Sequence, residues 1–240
     1  IAGAMIALVF AVLTVSLRSN QVISGLIIVA LGAGLTGFLG REYVGKTLPG
    51  FYDFDWGGIS NVWIIGPILF KQNVLTYITL LLAGVVWYVL FRTTAGLKLR
   101  AVGEDPATAD ASGVRVALTR SIAVIIGGAF CGAAGGYLAL ASSYIWVEGM
   151  IAGRGWIAIG LVIFARWNPK YAIVGALLFG AIEALIPRVQ ATGADVPIYL
   201  MMMMPYIAIL GVLVLTSLTR NRRSGEPGSL GLPYTRQDRH

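Results

Sequence analysis

Long uncharged apolar blocks alternate with short polar stretches along the whole chain. Residues 1–17 are apolar until Arg18-Ser19-Asn20 interrupts them, and 21–39, 74–91, 121–141, 171–186 and 201–218 repeat the pattern. Each block is near the ~20 residues a helix needs to cross a hydrocarbon core. One block is different. Between Arg154 and Arg166 the uncharged core 155–165 is short for a span. It is either re-entrant or crosses with its two arginines reaching for the interfaces. Three blocks carry small residues at four-residue spacing, which predicts close helix contact: Gly32/Thr36/Gly40, Gly128/Gly132/Gly136 and Ala172/Ala176/Gly180/Ala184.

The polar segments differ in kind. The longest between two spans is 92–120, and 103–113 within it reads as one short, complete helix. Asp105 is placed to cap the first free N–H groups, and Pro106 fits the first helical position, where no donor is required. Gly113 supplies the left-handed residue that ends a helix. A helix this short is marginal alone in water, so it must lean on something. It is either a turn that tidies a loop or a handle for a soluble partner. Residues 46–73 mix Asp53, Asp55, Trp56 and Trp63, a composition suited to a short interfacial helix. Residues 221–240 have no apolar periodicity and read as a loosely ordered tail. The expected organisation is a transmembrane domain over 1–219 and a flexible tail over 220–240.

Composition agrees with a membrane class. The chain is 57% apolar and 12% charged, with mean hydropathy +0.79, far below the roughly 25% charge of soluble domains. A net charge of +7 raises the question of nucleic acid. No basic stripe with interleaved aromatics supports it, and no nucleic-acid partner is expected. The charges sort by orientation instead. If 155–165 crosses and 92–120 is cytoplasmic, only Arg41, Lys46, Lys71, Arg154 and Arg188 of the 18 Lys and Arg lie outside, a split of 13 to 5. Without that crossing the inside count falls to 7 against 11. The positive-inside rule favours crossing. The expected fold is all-α and polytopic, with about seven transmembrane segments, one of them short or discontinuous, and a cytoplasmic C-terminus.

Catalytic chemistry is scarce. The one histidine is His240 and the one cysteine is Cys131, which argues against histidine triads, His-ligated zinc and intrachain disulfides. Residues 40–47, Gly-Arg-Glu-Tyr-Val-Gly-Lys-Thr, match the P-loop pattern to the letter. That loop needs a strand before it and a helix starting after it. Here a membrane-length segment precedes it, and Leu48-Pro49-Gly50 blocks a clean helix start. No nucleotide, metal or other cofactor is expected. Glu183 is the sole acid within a predicted crossing, and intramembrane acids are functional by default. Asn168 ends the short segment as a helix stop or a ligand contact. Asp53, Asp55 and Glu148 fall outside, where they are solvated or meet a partner's basic residues. Trp87, Phe130, Tyr137, Trp156, Tyr171 and Tyr206 in the crossings lean towards a neutral, ring-bearing solute.

The loop 100–114, Arg-Ala-Val-Gly-Glu-Asp-Pro-Ala-Thr-Ala-Asp-Ala-Ser-Gly-Val, resembles the cytoplasmic loop of ABC-importer permeases of the branched-chain amino-acid and simple-sugar superfamily. Residues 153–169, Met204-Pro205-Tyr206 and Leu232-Pro233-Tyr234 are similar to its nucleoside (guanosine-type) branch, and 13–25 to a mid-chain segment of that branch. The resemblance implies a two-permease, two-ATPase importer in the cytoplasmic membrane, fed by an extracytoplasmic substrate-binding lipoprotein. This chain would be one permease, embedded in the bilayer, with ATP hydrolysis on the separate ATPase subunit. Glu104, Asp105, Pro106, Asp110 and Gly113 would form the ATPase-coupling loop. Glu183, Trp156 and Asn168 would line the substrate pathway, and Asp53, Asp55 and Glu148 would dock the binding protein. The alternatives are a branched-chain amino-acid or sugar permease, or a secondary transporter, for which Glu183 alone offers ion coupling. Family members have further helices before the position of Ile1, so N-terminal sequence is expected to be missing. They also often have Asn at Asp105, an equally good cap.

Overall fold

The computed structural model describes residues 1–47, 53–55, 71–151, 153–193, 197–218 and 225–234. Its helices are α1 (Ala2–Ala11, continued by a π-helical turn Val12–Ser16), α2 (Gln21–Gly40), α3 (Val74–Arg92), α4 (Thr94–Glu104) and α5 (Pro106–Ala111). They are followed by α6 (Val116–Tyr137, continued by a π-helical turn Leu138–Ser143), α7 (Arg154–Phe164), α8 (Pro169–Ala191) and α9 (Ile198–Leu218). Four stretches, Gln21–Tyr43, Val74–Arg92, Val116–Ser143 and Pro169–Ala191, are long and apolar enough to cross a membrane. Shorter apolar helices occupy Ala2–Ser16, Arg154–Phe164 and Tyr199–Gly211. Together they fall on the seven apolar blocks, and the fold is that of a polytopic, all-helical membrane protein. Helices are the natural solution because a bilayer has no water to satisfy backbone groups, and an α-helix satisfies them within itself.

Asparagines mark three of the helix starts, two of them before residue 100. Asn20 Oδ1 accepts from the Val22 and Ile23 amides at 3.0 and 3.1 Å, and Asn73 Oδ1 accepts from the Leu75 amide at 3.0 Å. Between them, β1 (Asp53–Asp55) and β2 (Lys71–Asn73) pair antiparallel, with Asp53 opposite Asn73 and Asp55 opposite Lys71. The interfacial helix expected within 46–73 falls mainly on 48–52 and 56–70, outside the described residues.

The chain forms two compact units, Ile1–Ile151 with Pro227–His240, and Ala152–Glu226. In the first, α1 lies directly on α6. A Cβ on Gly3 would come within 2.8 Å of the Gly132 Cα, and one on Gly128 would collide with the Ala7 side chain. Only residues this small let two helix backbones approach so closely. Gly128 and Gly132 thus take up α1, as the small-residue spacing predicts. At Gly127, Gly135 and Gly136 an added Cβ would meet nothing within 4 Å among the described residues, which thus fill the stripe over half its length. In the second unit, α8 meets α7 where Gly175 faces Leu161 and Phe164, and α9 meets α7 where Gly160 faces Ile209.

Large apolar side chains are mostly exposed, among them Val22, Leu26, Leu81, Leu177 and Leu210. The buried apolar residues among those described are Ala7, Ala11, Val102, Ala109, Val116, Ala165 and Met201. Lipid tails are as apolar as leucine, so membrane helices gain little by burying large side chains against each other.

Gly128→Leu should strain the α1–α6 contact and destabilise the protein by about 1–3 kcal/mol, the usual range for overpacking. Gly127→Leu, one residue away and facing open space, should leave thermal unfolding in detergent nearly unchanged.

Candidate functional site

The 92–120 segment contains more helix than the sequence suggests. Besides α5 it holds α4, and breaks at Thr93, at Asp105 and over 112–115 fold the two helices against the start of α6. Thr93 makes the first break. Its backbone is extended, its hydroxyl donates to the Val89 carbonyl at 2.6 Å, and its Oγ1 accepts from the Gly96 amide at 3.2 Å. Arg100 places its guanidinium 4.9 Å from the centre of the Phe91 ring, tying α4 back to α3. Asp105 makes the second break, ending α4 and capping α5. Its Oδ1 accepts from the Ala107 and Thr108 amides at 2.9 and 3.2 Å, its Oδ2 accepts from the Thr108 hydroxyl, and Pro106 occupies the first helical position. Gly113 makes the third, at φ +84°, with its amide bonded to the Asp110 carbonyl at 2.9 Å. A side chain is strained in that left-handed conformation.

The hydrogen bonds from the Thr108 hydroxyl and amide, with a smaller share from the Ala107 amide, hold the Asp105 carboxyl below its ordinary value of 3.8. A depressed carboxyl stabilises the cap where it is ionised. That contribution is complete above 3.8 and is lost as pH falls through the lower, folded value.

The two helices fold over a small core. Val102 of α4, Ala109 of α5 and Val116 of α6 are buried at 1%, 3% and 4% exposure, with Val114 and Tyr234 packed against them. Ala107 and Thr108 face outward. The site is therefore a short helix seated on its inner face and open on its outer one. Glu104 and Asp105 are exposed at its leading end, while Asp110 is half-buried.

Tyr234 belongs to the segment expected to be a loosely ordered tail. That expectation needs correction for 227–234, which folds onto the site as a strap. The Ser229 amide and hydroxyl both donate to the Gly103 carbonyl, at 3.0 and 2.6 Å. Arg120 donates to the Ser229 hydroxyl oxygen at 3.2 Å and to the Leu232 carbonyl at 2.9 Å. The Tyr234 hydroxyl donates to Asp110 Oδ2 at 3.2 Å. The last carbonyls of a helix lack internal partners, and here a segment more than a hundred residues away supplies one. Apolar periodicity could not reveal this, because the strap is held by polar groups.

The other expected site residues belong to other segments of the chain. In the second unit, Glu183 Oε1 is 3.3 Å from Arg154 Nε, both side chains being a little under half exposed. Pro187 has no N–H to bond the Glu183 carbonyl one turn back. Sequence reasoning misses the arginine partner because it stands 29 residues away on another helix. Trp156 is 69% exposed. Asn168 caps α8, its Oδ1 accepting from the Lys170 amide at 3.1 Å with Pro169 at the first helical position, so it acts as a helix start. Arg166 and Trp167, just before it, both adopt positive φ. Glu148 is exposed and its carboxylate lies over Gly37 of α2. Asp53 and Asp55 sit on β1, and their side chains are outside the described residues. The P-loop look-alike is preceded by α2, not by a strand. Its Gly40 lies under the Trp146 ring, and Gly45 makes a turn at φ +75°. No group of three or more potential metal ligands occurs among the described residues.

A sequence model of the branched-chain amino acid transport system permease component family matches residues 1–213. The chain belongs to that family. It is similar to a putative glucose ABC transporter permease of Haloferax volcanii, 46% identical over 79% of this chain and 59% of that protein. A guanosine ABC transporter permease of Bacillus subtilis is 34% identical over 99% of this chain and 76% of its own length. A nucleoside ABC transporter permease of Lactococcus lactis is 33% identical over 89% and 69%. The permease thus spans a little under three fifths of the Haloferax relative and about three quarters of the Bacillus one. No solved structure matches it.

Gly113→Val should cost about 1–2 kcal/mol of local stability, the penalty of a left-handed conformation for an L-residue. Hydrogen exchange over 106–112 should speed up accordingly. Asp105→Asn should keep the cap and remove its acid sensitivity, whereas Asp105→Ala should lose the cap at every pH.

Proposed function

We propose that this chain is a membrane-spanning permease subunit of an ATP-binding-cassette importer that carries nucleosides, with α4 and α5 as the coupling element. The observation that carries the reading is the outward face of α5: a capped, short helix set on a buried core, with Ala107 and Thr108 exposed. An ATPase subunit that grips α5 would move the helices joined to it, as alternating access requires. ATP hydrolysis belongs to that subunit. The importer is completed by a second permease and an extracytoplasmic substrate-binding lipoprotein.

The positive-inside split puts α4, α5 and the C-terminus in the cytoplasm and Asp53, Asp55 and Glu148 on the other side. There the three acids would meet basic residues of the binding protein. Glu183 and Trp156 are assigned to the substrate path. A half-open ion pair in an apolar helix bundle is stable facing protein or water rather than lipid. The Glu183 carboxylate suits hydroxyl donors, and an exposed indole suits a base to stack on it. The likeness to the guanosine and nucleoside permeases over most of this chain supports nucleosides as the solute. A second reading, a hexose as solute, is favoured by the 46% identity to the putative glucose permease.

Proteoliposomes holding the assembled importer and its binding protein should take up labelled guanosine only when ATP is supplied. ATP-dependent glucose uptake without guanosine uptake would establish the second reading. Uptake of leucine alone would contradict both.

A further inference from the structure

We propose that the C-terminal strap, 227–234, is a clamp that locks the coupling helix α5 to the membrane helix α6. Ser229, Arg120 and Tyr234 are then positioning residues for force transmission. The inference rests on the importer reading only for what pushes on α5.

A six-residue helix cannot hold its own direction, because so short a segment is barely stable alone. Here it is also hinged at both ends, by extended Asp105 and left-handed Gly113. A push on α5 would be absorbed by rotation about these two residues unless something ties the helix to its neighbours. The apolar contact of Ala109 with Val102 and Val116 is not directional. The strap's bonds are. Ser229 holds the end of α4 through Gly103, Tyr234 holds α5 through Asp110, and Arg120, on the second turn of α6, holds the strap through Leu232 and Ser229. Three helices meet on one segment of eight residues.

The strap's own shape suits this use. Two successive turns set it, with the Leu230 amide bonded to the Pro227 carbonyl at 3.1 Å and the Leu232 amide to the Ser229 carbonyl at 3.2 Å. A Cβ on Gly228 would stand 2.9 Å from the Glu104 carbonyl oxygen, so the strap passes the α4–α5 junction at a distance only glycine permits. Its burial is the reverse of ordinary packing. The serine is buried, at 9% exposure, while Leu230 and Leu232 are 48% and 58% exposed. A cleft of about 560 Å³, lined by Phe10, Leu99 and Leu230 among others, opens beside it. The strap is fastened by its polar groups, with the Tyr234 ring against the small core.

The test uses the full-length permease, alone and assembled with its ATPase, in three forms: wild type, a deletion of 227–240, and Tyr234→Phe, which removes one hydroxyl. In the permease alone, amide exchange over 106–112 should rise about fivefold for Tyr234→Phe, the effect of one ordinary hydrogen bond, and further for the deletion. In the assembled importer both variants should still bind the ATPase and hydrolyse ATP, and transport per ATP should fall several-fold. Unchanged exchange in the deletion overturns the clamp. So does a proportional fall of hydrolysis and transport, which marks a merely structural tail. If no ATPase associates even with wild type, the importer reading fails, and the exchange arm still decides whether the strap holds α5.

Discussion

The packing of Val102, Ala109 and Val116 is the contact on which the proposed coupling element depends, and its location follows from where water is. The hydrophobic effect drives burial only against an aqueous alternative. Within the bilayer that alternative is missing, so the spanning helices of this permease keep their large side chains outward. They meet through small residues such as Gly3, Gly128 and Gly175. In the polar 92–120 segment the drive returns, and there three apolar residues from three helices close a core. The consequence is mechanical. The loop between two membrane helices is a folded element with its own interior, able to receive a force without collapsing.

Polar groups then define what the apolar contact leaves loose. Thr93 and Asp105 each break the helices at one residue and Gly113 does so within the turn 112–115, and the first two also supply the hydrogen bonds that start the next helix. Their spacing makes α4 and α5 short and differently directed, so one apolar residue from each reaches the same core. In the second unit the pattern is different. Arg154 and Glu183 place a charge pair on two mainly apolar helices. Pro187 and Pro205 interrupt the hydrogen-bond ladders of α8 and α9. In the proposed importer the coupling element would serve as the handle and these membrane helices as part of the solute path.

Local rules are legible in the sequence to the residue. The apolar blocks mark the membrane helices because length and hydropathy are properties of contiguous stretches. The α5 helix is legible because Asp105, Pro106 and Gly113 each solve a local backbone problem. What escapes sequence reading is long-range. Nothing near Ser229 announces that its hydroxyl completes the end of α4, and nothing near Glu183 announces Arg154. The helix α4 is hidden because its eleven residues carry glycines and charges without the run of apolar residues that marks a span. Asn168 reads in the sequence as a helix stop or a ligand contact, and the bond it accepts from the Lys170 amide makes it the cap of the next helix.

The central claim, that α5 is the surface an ATPase subunit grips, is tested most directly by contact. A photoreactive amino acid at Ala107, exposed on the outer face of α5, should cross-link in membranes of the native host. The account predicts a cross-link to a nucleotide-binding subunit whose yield changes when ATP is bound, with none from the same probe at Gly127. A cross-link from Ala107 only to lipid, or one to an extracytoplasmic protein, would contradict it.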